Sequence, residues 1–254
     1  MNNFEGRHAL VTGGGTGIGA AIALALAQSG ARVSIAGRRV QPLDAVAARH
    51  QGIHAFSADV SDEPSVRALY ESVTAEGGAV DIVIANAGAA GSAPFKRMDV
   101  EHWNAMLTSN MTSTFLTLRE GFKRMNPKER GRLIAVASTA GLIGYAYVAA
   151  YCAAKHGVVG LTRALALELA HTNVTVNAVC PGFTETPLLD ASVANIVDKT
   201  GMTSDHARQK LSESNPQGRL IQPDEVAASV LWLCSAGADS ITGQSISVSG
   251  GETQ

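Results

Sequence analysis

Residues 8–28 of the chain read HALVTGGGTGIGAAIALALAQ. The apolar segment His8–Thr12 predicts a strand, and the alanine- and leucine-rich segment that begins at Gly17 predicts a helix. The glycines between them allow a sharp turn and a close approach of the main chain to a ligand, while the first N–H groups of a helix attract phosphate. This order predicts a nucleotide site, with a simple tight loop as the alternative. The residues expected at a bound diphosphate are Gly13, Thr16, Gly17, Ile18 and Gly19.

The rest of the chain alternates short strands with helices, which is the pattern of repeated βαβ units. The predicted strands are His8–Thr12, Arg32–Ala36, His54–Ser57, Asp81–Asn86, Leu133–Ala137, Thr175–Cys180 and Ser245–Val248. The predicted helices are Gly17–Ser29, Leu43–His50, Pro64–Glu76, Val100–Met125, Ala150–His171 and Pro223–Ser235. The predicted fold class is therefore α/β, a single-domain Rossmann-type doubly wound parallel sheet of seven strands flanked by helices, over residues 1–254.

One stretch, Pro187–Gly218, interrupts this alternation. It follows the sixth predicted strand and contains mixed helical fragments between a proline-rich entry and the exit Asn215-Pro216-Gln217-Gly218. Long excursions of this kind after a strand often close over a substrate. We therefore predict a substrate lid near residues 187–218.

Composition excludes several classes of function. The formal net charge of −2 leaves no basic excess for a nucleic-acid backbone. Charged residues interrupt the apolar runs before they reach membrane-spanning length, and the N-terminus has no apolar signal core, so no membrane association is expected. The three cysteines are widely spaced, and the seven histidines show no ligand spacing. We expect a cytoplasmic protein with no metal site.

The end of the second predicted strand bears on the choice of cofactor. In dinucleotide folds that prefer NAD, a carboxylate at this edge accepts hydrogen bonds from ribose hydroxyls and repels a 2′-phosphate. Gly37 occupies that position here, and the next residue, Arg38, can pair with the phosphate. We predict NADP(H) as the preferred cofactor and keep NAD(H) as the alternative. Arg39 is either a second contact or ordinary surface charge.

The candidate reacting centre consists of Ser138, Tyr151 and Lys155. Tyr151 and Lys155 are one helical turn apart, and Ser138 directly follows the fifth predicted strand, at the sheet edge where such folds bind ligands. Hydride delivery to a carbonyl requires a proton donor at the oxygen, a task that a phenol can perform. An ammonium at about 4 Å, with an effective dielectric constant of about 20, would stabilise tyrosinate by roughly 4 kcal/mol. We therefore expect a lowered Tyr151 pKa, assisted by oxidised nicotinamide.

Together these features resemble the short-chain dehydrogenase/reductase family across nearly the whole chain. The motifs that carry the resemblance are Thr12–Gly19 with its G-x-x-x-G-x-G spacing, Asn86-Ala87-Gly88, Asn110, Ser138, Tyr151, Lys155, Pro181-Gly182, Ile241-Thr242-Gly243-Gln244 and Gly250-Gly251.

The resemblance also implies roles for further residues. The implied cofactor contacts are Asp59 and Val60 at the adenine, Asn86, Ala87 and Gly88 beneath the cofactor, Pro181, Gly182, Phe183 and Thr184 at the nicotinamide, Thr186 at the diphosphate, and Tyr151 and Lys155 at the nicotinamide ribose. Asn110 is implied as the fourth catalytic residue, holding a water that links Lys155 to solvent.

Within this family, the segments Lys155–Thr162 and Val174–Phe183 look like those of bacterial aromatic-polyketide ketoreductases and 3-oxoacyl thioester reductases. The chain departs from the polyketide enzymes at residues 88–94, where they carry a Pro-Gly-Gly run. The predicted pocket wall, mostly apolar with few polar anchors, favours an acyl chain or hydrophobic ketone over a sugar. Its members are Ser138, Thr139, Ile143, Tyr145, Tyr147, Leu188, and with them Phe183 and Leu189.

The predicted function is thus hydride transfer between NAD(P)(H) and a carbonyl or secondary alcohol, with a 3-oxoacyl or 3-hydroxyacyl thioester, on CoA or a carrier protein, as the favoured small-molecule substrate. The alternative within the enzymes is a secondary-alcohol dehydrogenase that uses NAD. The alternative outside them is a non-catalytic nucleotide-sensing module. The resemblance further implies a homotetramer, assembled through the long helices and the last strand.

Overall fold

Seven parallel strands form one sheet in this computed structural model, which describes residues 3–253. The strands run in the order β3-β2-β1-β4-β5-β6-β7. Their bounds are β1 His8–Thr12, β2 Arg32–Gly37, β3 Ile53–Ser57, β4 Ile82–Ala85, β5 Gly131–Val136, β6 Val174–Pro181 and β7 Ser245–Val248. The predicted strands and fold class are confirmed, with small differences at the strand ends.

Helices cover both faces of the sheet. Their bounds are α1 Gly17–Gln28, α2 Val40–Ala47, α3 Glu63–Gly77, α4 Val100–Leu107, α5 Ser113–Arg124, α6 Ala149–Glu168, α7 Pro187–Thr200, α8 Ser204–Ser212 and α9 Pro223–Cys234. The predicted lid region contains α7 and α8. No helix within residues 3–253 combines the length and apolar character needed to cross a bilayer.

Side chains of each strand alternate between two cores. Ile82 and Ile84 of β4 belong to the core beneath α1, α2 and α9, whereas Val83 between them belongs to the core beneath α3, α5 and α6. Because both faces of such a strand are buried, its sequence is an unbroken run of apolar residues, as is usual in parallel sheets. The arrangement holds all the carboxyl ends of the strands on one edge.

The order of strands reverses between β1 and β4. The chain proceeds outward from β1 through β2 to β3, then returns to the other side of β1 and proceeds from β4 to β7. In open α/β sheets the crevice beyond the carboxyl ends at such a reversal is the usual ligand site. The glycine-rich turn after β1 and residues 86–88 after β4 both border this crevice.

The predicted continuous helix Val100–Met125 is wrong. The chain forms α4, then a π-helical turn over Thr108–Thr112, and then α5. The Asn110 amide donates to Met106 O at 3.0 Å, and the Thr114 hydroxyl donates to Asn110 O at 2.7 Å. Side-chain bonds to carbonyls one turn earlier loosen the main-chain ladder, which lets the extra residue of a π turn be accommodated.

Candidate active site

The turn after β1 is built for close packing of main chain. Gly13 has a φ of +66°, and a methyl group at Gly19 would lie 2.3 Å from Gly13 O. Thr16 precedes α1 but its side chain makes no capping hydrogen bond, so the first N–H groups of the helix are not occupied by it. Open N–H groups beside a crowded glycine turn suit a diphosphate, and this local geometry fits the predicted dinucleotide.

Asn86 connects the end of β4 to this turn. Its Nδ2 donates to Thr12 O at 2.9 Å and to Gly13 O at 3.3 Å. The Thr12 hydroxyl oxygen accepts from the main-chain N–H of Asn86 at 3.1 Å and of Ala87 at 3.2 Å. These four contacts fix the floor of the crevice against the turn.

The end of β2 presents two arginines to solvent. Arg38 and Arg39 are both exposed. Asp59, after β3, accepts hydrogen bonds from the Ser61 N–H at 2.9 Å and from its hydroxyl at 2.5 Å. These bonds lower the Asp59 pKa, and the nearby Arg38 charge lowers it further. Arg38 and Asp59 thus lie at the same corner, with the buried Val60 beneath.

Ser138, Tyr151 and Lys155 meet where β5 ends. Ser138 follows the strand, and its hydroxyl lies near enough to the Tyr151 phenol to act on the pKa of that phenol. Lys155 Nζ donates to Val136 O at 2.9 Å and lies 5.7 Å from the centre of the Tyr151 ring. Because Lys155 is only 4% exposed, its ammonium is held within the crevice rather than in solvent. The three predicted residues are therefore brought together.

The expected lowering of the Tyr151 pKa is wrong for the protein by itself. Burial raises the pKa of Tyr151 to about 12, and the neighbouring Ser138 hydroxyl offsets this only in part. Burial likewise lowers the pKa of Lys155 to about 8. The reason is that burial disfavours the charged form of both groups, and the ammonium donates a hydrogen bond to Val136 O.

Asn110 lies fully buried in the π turn. Its Nδ2 donates to Ala89 O at 2.9 Å, and its Oδ1 accepts from Ala89 N at 3.2 Å. A methyl group at Gly88 would lie 2.6 Å from Asn110 Oδ1 and 3.7 Å from Lys155 Nζ. Gly88 therefore lets Asn110 and Lys155 approach each other, a proximity that only the fold reveals.

The loop after β6 closes the crevice from the opposite side. Gly182 N donates to Val248 O at 3.0 Å, which pins the loop to β7. Thr186 precedes α7, and a methyl group at Gly17 would lie 2.9 Å from Thr186 Cγ2. The start of α7 thus packs on the start of α1, next to the turn predicted to bind diphosphate.

Comparison with known proteins adds an independent observation. A family model described as short chain dehydrogenase matches residues 7–196. The chain belongs to the short-chain dehydrogenase family. The prediction of an oxidoreductase is confirmed, and the alternative of a non-catalytic nucleotide-sensing module is set aside.

Several named relatives span nearly the full length of this dehydrogenase. The granaticin polyketide synthase putative ketoacyl reductase 1 of Streptomyces violaceoruber is 39% identical over 96% of this chain and 92% of its own. The D-beta-hydroxybutyrate dehydrogenase of Cupriavidus necator is 38% identical, and the 3-oxoacyl-(acyl-carrier-protein) reductase of Escherichia coli is 37% identical, each over 98% of both chains. A crystal structure of a tryptophan variant of actinorhodin polyketide ketoreductase with NADPH matches with a TM-score of 0.95 and 35% identity over 100% of both chains.

The predicted substrate wall of this dehydrogenase is only partly assembled around the reacting centre. Thr139 follows Ser138 and is hydrogen-bonded to Tyr145, whose ring meets Phe183 edge-on at 5.9 Å. Ile143 is half-buried. In contrast, Tyr147 is 67% exposed and Leu188 is 45% exposed. These last two side chains can contact a ligand only at the mouth of the crevice.

Sequence reasoning missed one side chain in this wall. Glu252 Oε1 accepts a hydrogen bond from the Tyr145 hydroxyl at 2.7 Å. The expectation of few polar anchors is therefore incomplete, since a carboxylate joins Thr139 and Tyr145. A single acid beyond Gly250-Gly251 carries no recognisable spacing, so no local signal could have placed it there.

Proposed function

We propose that this dehydrogenase uses NADPH to reduce a ketone, with a 3-oxoacyl thioester or a similar hydrophobic ketone as its substrate. The observation that carries the proposal is the convergence of Ser138, Tyr151 and Lys155 at the carboxyl end of β5. Support for the substrate class comes from the named relatives, among which ketoacyl reductases of polyketide synthases and 3-oxoacyl-(acyl-carrier-protein) reductases recur. Support for NADPH comes from the matching ketoreductase structure, which is a complex with NADPH.

The dinucleotide would lie along the carboxyl edge of the sheet, and its nicotinamide supplies the hydride. The residues proposed to hold the diphosphate are Gly13, Thr16, Gly17, Ile18, Gly19 and Thr186. The 2′-phosphate would lie at Arg38 and Arg39, the adenine at Asp59 and Val60, and the cofactor as a whole above Asn86, Ala87 and Gly88. The nicotinamide ribose would contact Tyr151 and Lys155, and the nicotinamide would contact Pro181, Gly182, Phe183 and Thr184.

Tyr151 is the proposed proton donor to the substrate oxygen. With its pKa raised to about 12, the phenol carries its proton at neutral pH, which is the form that carbonyl reduction requires. Ser138 holds the substrate oxygen next to that phenol by a second hydrogen bond. The reverse reaction, alcohol oxidation, needs the tyrosinate form, which burial disfavours in the protein by itself.

Lys155 and Asn110 are proposed to restore the proton. The Lys155 pKa of about 8 leaves the ammonium protonated at neutral pH, yet close enough to neutrality for proton exchange. Asn110 is buried beside it, and its proposed role is to hold a water molecule that links Lys155 to solvent. The close approach permitted by Gly88 supports this relay.

A second candidate function is the oxidation of a secondary alcohol with NAD. The D-beta-hydroxybutyrate dehydrogenase of Cupriavidus necator, at 38% identity over 98% of both chains, favours it. The two candidates differ in cofactor and in substrate charge. Initial rates with NADPH and a 3-oxoacyl thioester, compared with those for NAD and 3-hydroxybutyrate, distinguish them.

The lid, the assembly and the location are further parts of the proposal. Within the predicted lid, the Asn195 amide on α7 donates to the Ser92 hydroxyl at 3.0 Å, which connects α7 to the loop that follows β4. Contact across the crevice supports residues 187–218 as a lid within a single domain.

A homotetramer is proposed from the family resemblance. The three free cysteines support a cytoplasmic location.

The test of the mechanism is the variant Tyr151→Phe. Because it removes only the proton donor, kcat for NADPH-dependent reduction is expected to fall by about 10²- to 10⁴-fold. The dissociation constant for NADPH, measured by fluorescence, is expected to rise only a few-fold, because Tyr151 is one of many proposed cofactor contacts. Tyr70→Phe, which removes a hydroxyl outside the proposed site that donates to Thr117 O, is the matched control, and its kcat is expected to stay within a few-fold of wild type. Undiminished turnover by Tyr151→Phe would overturn the mechanism.

A further inference from the structure

Glu252 forms the end of a hydrogen-bonded chain that the proposed mechanism does not use. The Tyr145 hydroxyl lies 2.7 Å from both Thr139 Oγ1 and Glu252 Oε1. A phenol carries a single proton, and the carboxylate can only accept. The Thr139 hydroxyl therefore donates to Tyr145, and Tyr145 donates to Glu252. Burial raises the Tyr145 pKa, and the neighbouring Glu252 charge raises it further, so the phenol remains a donor.

The second oxygen of this carboxylate accepts no hydrogen bond from any described residue. Glu252 Oε2 is buried, and no donor among the described residues lies within hydrogen-bonding distance of it. A methyl group at Gly182 would lie 2.8 Å from Oε2, so the oxygen packs directly against the loop after β6. A buried oxygen without a partner is costly, and a donor from a ligand would remove that cost.

The hydrogen-bonded chain that ends at Glu252 begins next to the candidate reacting residues. Thr139 is the neighbour of Ser138, and Cys152, the neighbour of Tyr151, lies close enough to both Tyr145 and Tyr151 to raise the pKa of each slightly after burial. Phe183 packs edge-on against Tyr145 and lowers the local polarity. In such surroundings the charge of one carboxylate acts strongly on any charge that a substrate brings near its carbonyl.

We propose that Glu252 is a specificity-determining residue that favours ketones whose neighbouring group is uncharged over ketones that carry a carboxylate there. A free 3-oxo carboxylate meets the like charge and the unpaired Oε2 acceptor of Glu252, whereas a thioester brings no charge, and an amide in the same place can in addition donate to Oε2. The inference rests on the proposed function for the position of the reacting carbonyl. It divides the two candidate substrate classes, since thioesters are neutral and free 3-oxo acids are anions.

The test compares two substrates that differ only in this group, benzoylacetamide and benzoylacetate. The wild-type enzyme is expected to prefer the amide in kcat/KM by about tenfold or more, which corresponds to about 1.4 kcal/mol. Glu252→Gln keeps an acceptor for Tyr145 and replaces Oε2 by a donor, so the preference is expected to fall about tenfold, with a higher kcat/KM for the acid. Glu71→Gln, an exposed acid of α3, is the matched control and keeps the wild-type preference.

A second variant separates charge from local structure. Tyr145→Phe removes the phenol donor but keeps the carboxylate, so discrimination against benzoylacetate is expected to persist. The measured quantity is kcat/KM for benzoylacetamide divided by kcat/KM for benzoylacetate. The inference is overturned if this ratio is the same in Glu252→Gln and the wild type, or if it falls as far in Tyr145→Phe as in Glu252→Gln. If neither compound is reduced, the proposed function has failed, and the same ratio taken from dissociation constants by calorimetry then supports or overturns the role of Glu252.

Discussion

The pKa of a residue in this site depends on both its burial and the charges around it, and at Lys155 burial has the larger effect. The side chain is 4% exposed, and its pKa falls from 10.5 to about 8 because desolvation disfavours the ammonium. The bond to Val136 O offsets only part of that cost. The same competition raises the pKa of Tyr151, so a motif that predicts proximity does not predict the protonation state.

A pH dependence of stability follows from the Lys155 pKa. Between about pH 8 and 10.5 the unfolded lysine still binds a proton that the native one has released, so raising the pH through this window favours the native state. The free energy of unfolding of the wild type should therefore rise relative to Lys155→Met by about 2 kcal/mol between pH 7.5 and pH 10. Urea denaturation of both proteins at pH 7.5 and pH 10 measures the difference. A gap between the two proteins that does not change with pH would contradict it.

Arg38 carries the prediction of cofactor preference. Arg38→Asp replaces a cation that can pair with a 2′-phosphate by a charge that repels it. The ratio of kcat/KM for NADPH to that for NADH is expected to fall by about tenfold to a hundredfold, as hydrogen bonds to charged groups are worth ~1.5–3 kcal/mol. The control is Arg49→Asp, which makes the same charge change at an exposed arginine beyond α2. Equal ratios in Arg38→Asp and the wild type would remove the basis for the NADP assignment.

At the scale of the element, the departures from ideal geometry cluster where strands end. The π turn over Thr108–Thr112 positions Asn110, and the glycine turn brings the start of α1 onto Gly13. Both features depend on contacts with other elements, namely with residues 88–89 and with β2. Elements distant from the crevice, such as α3 with its Asp62 cap and α9 with its capping box, follow ordinary rules.

The tight turn at α1 predicts opposite effects for two helical glycines. Gly19→Ala places a methyl group 2.3 Å from Gly13 O and should lower both the melting temperature and the affinity for NADPH. Gly160→Ala on α6 meets open space, and its higher helix propensity should stabilise the protein by up to about 1 kcal/mol. Thermal unfolding and fluorescence titration measure the two effects. Wild-type NADPH affinity in Gly19→Ala would refute the close-packed turn as the diphosphate site.

For the whole molecule, the apolar side chains left on the surface bear on assembly. Trp103 on α4, Phe115 on α5 and Leu167 on α6 are exposed, and Leu167 reaches 80%. Exposed apolar side chains on neighbouring helices are typical of contacts between subunits. They lie on the helices that the family resemblance assigns to the tetramer.

Light scattering at micromolar concentration should therefore report four chains per particle. Leu167→Glu should yield smaller particles, because a charge would be buried at the contact. Ala48→Glu, which adds the same charge to an exposed position at the end of α2, should remain tetrameric. A wild-type protein that scatters as a monomer would refute the assembly.

Local pattern was sufficient for much of the fold. The alternation of apolar runs predicts all seven strands and most helices, because burial on both faces of a parallel sheet leaves a continuous signature. It failed for Val100–Met125, since the side-chain bonds of Asn110 and Thr114 to carbonyls one turn earlier, which accommodate the π turn, leave no mark on the spacing of apolar residues. The spacing of Tyr151 and Lys155 on one helix, after Ser138 on a strand, was likewise readable because each lies at a defined position of its element.

Fold class, oxidoreductase chemistry and the choice of Ser138, Tyr151 and Lys155 as candidate reacting residues follow from short-range order along the chain, where spacing alone sets which side chains share a face or an edge. The pKa values of Tyr151 and Lys155, the packing of Thr186 on Gly17 and the presence of Glu252 in the pocket wall came only with the folded molecule. The physical reason is that desolvation and long-range contact depend on what packs around a residue, and residues 145 and 252 become neighbours only when the last strand closes the sheet.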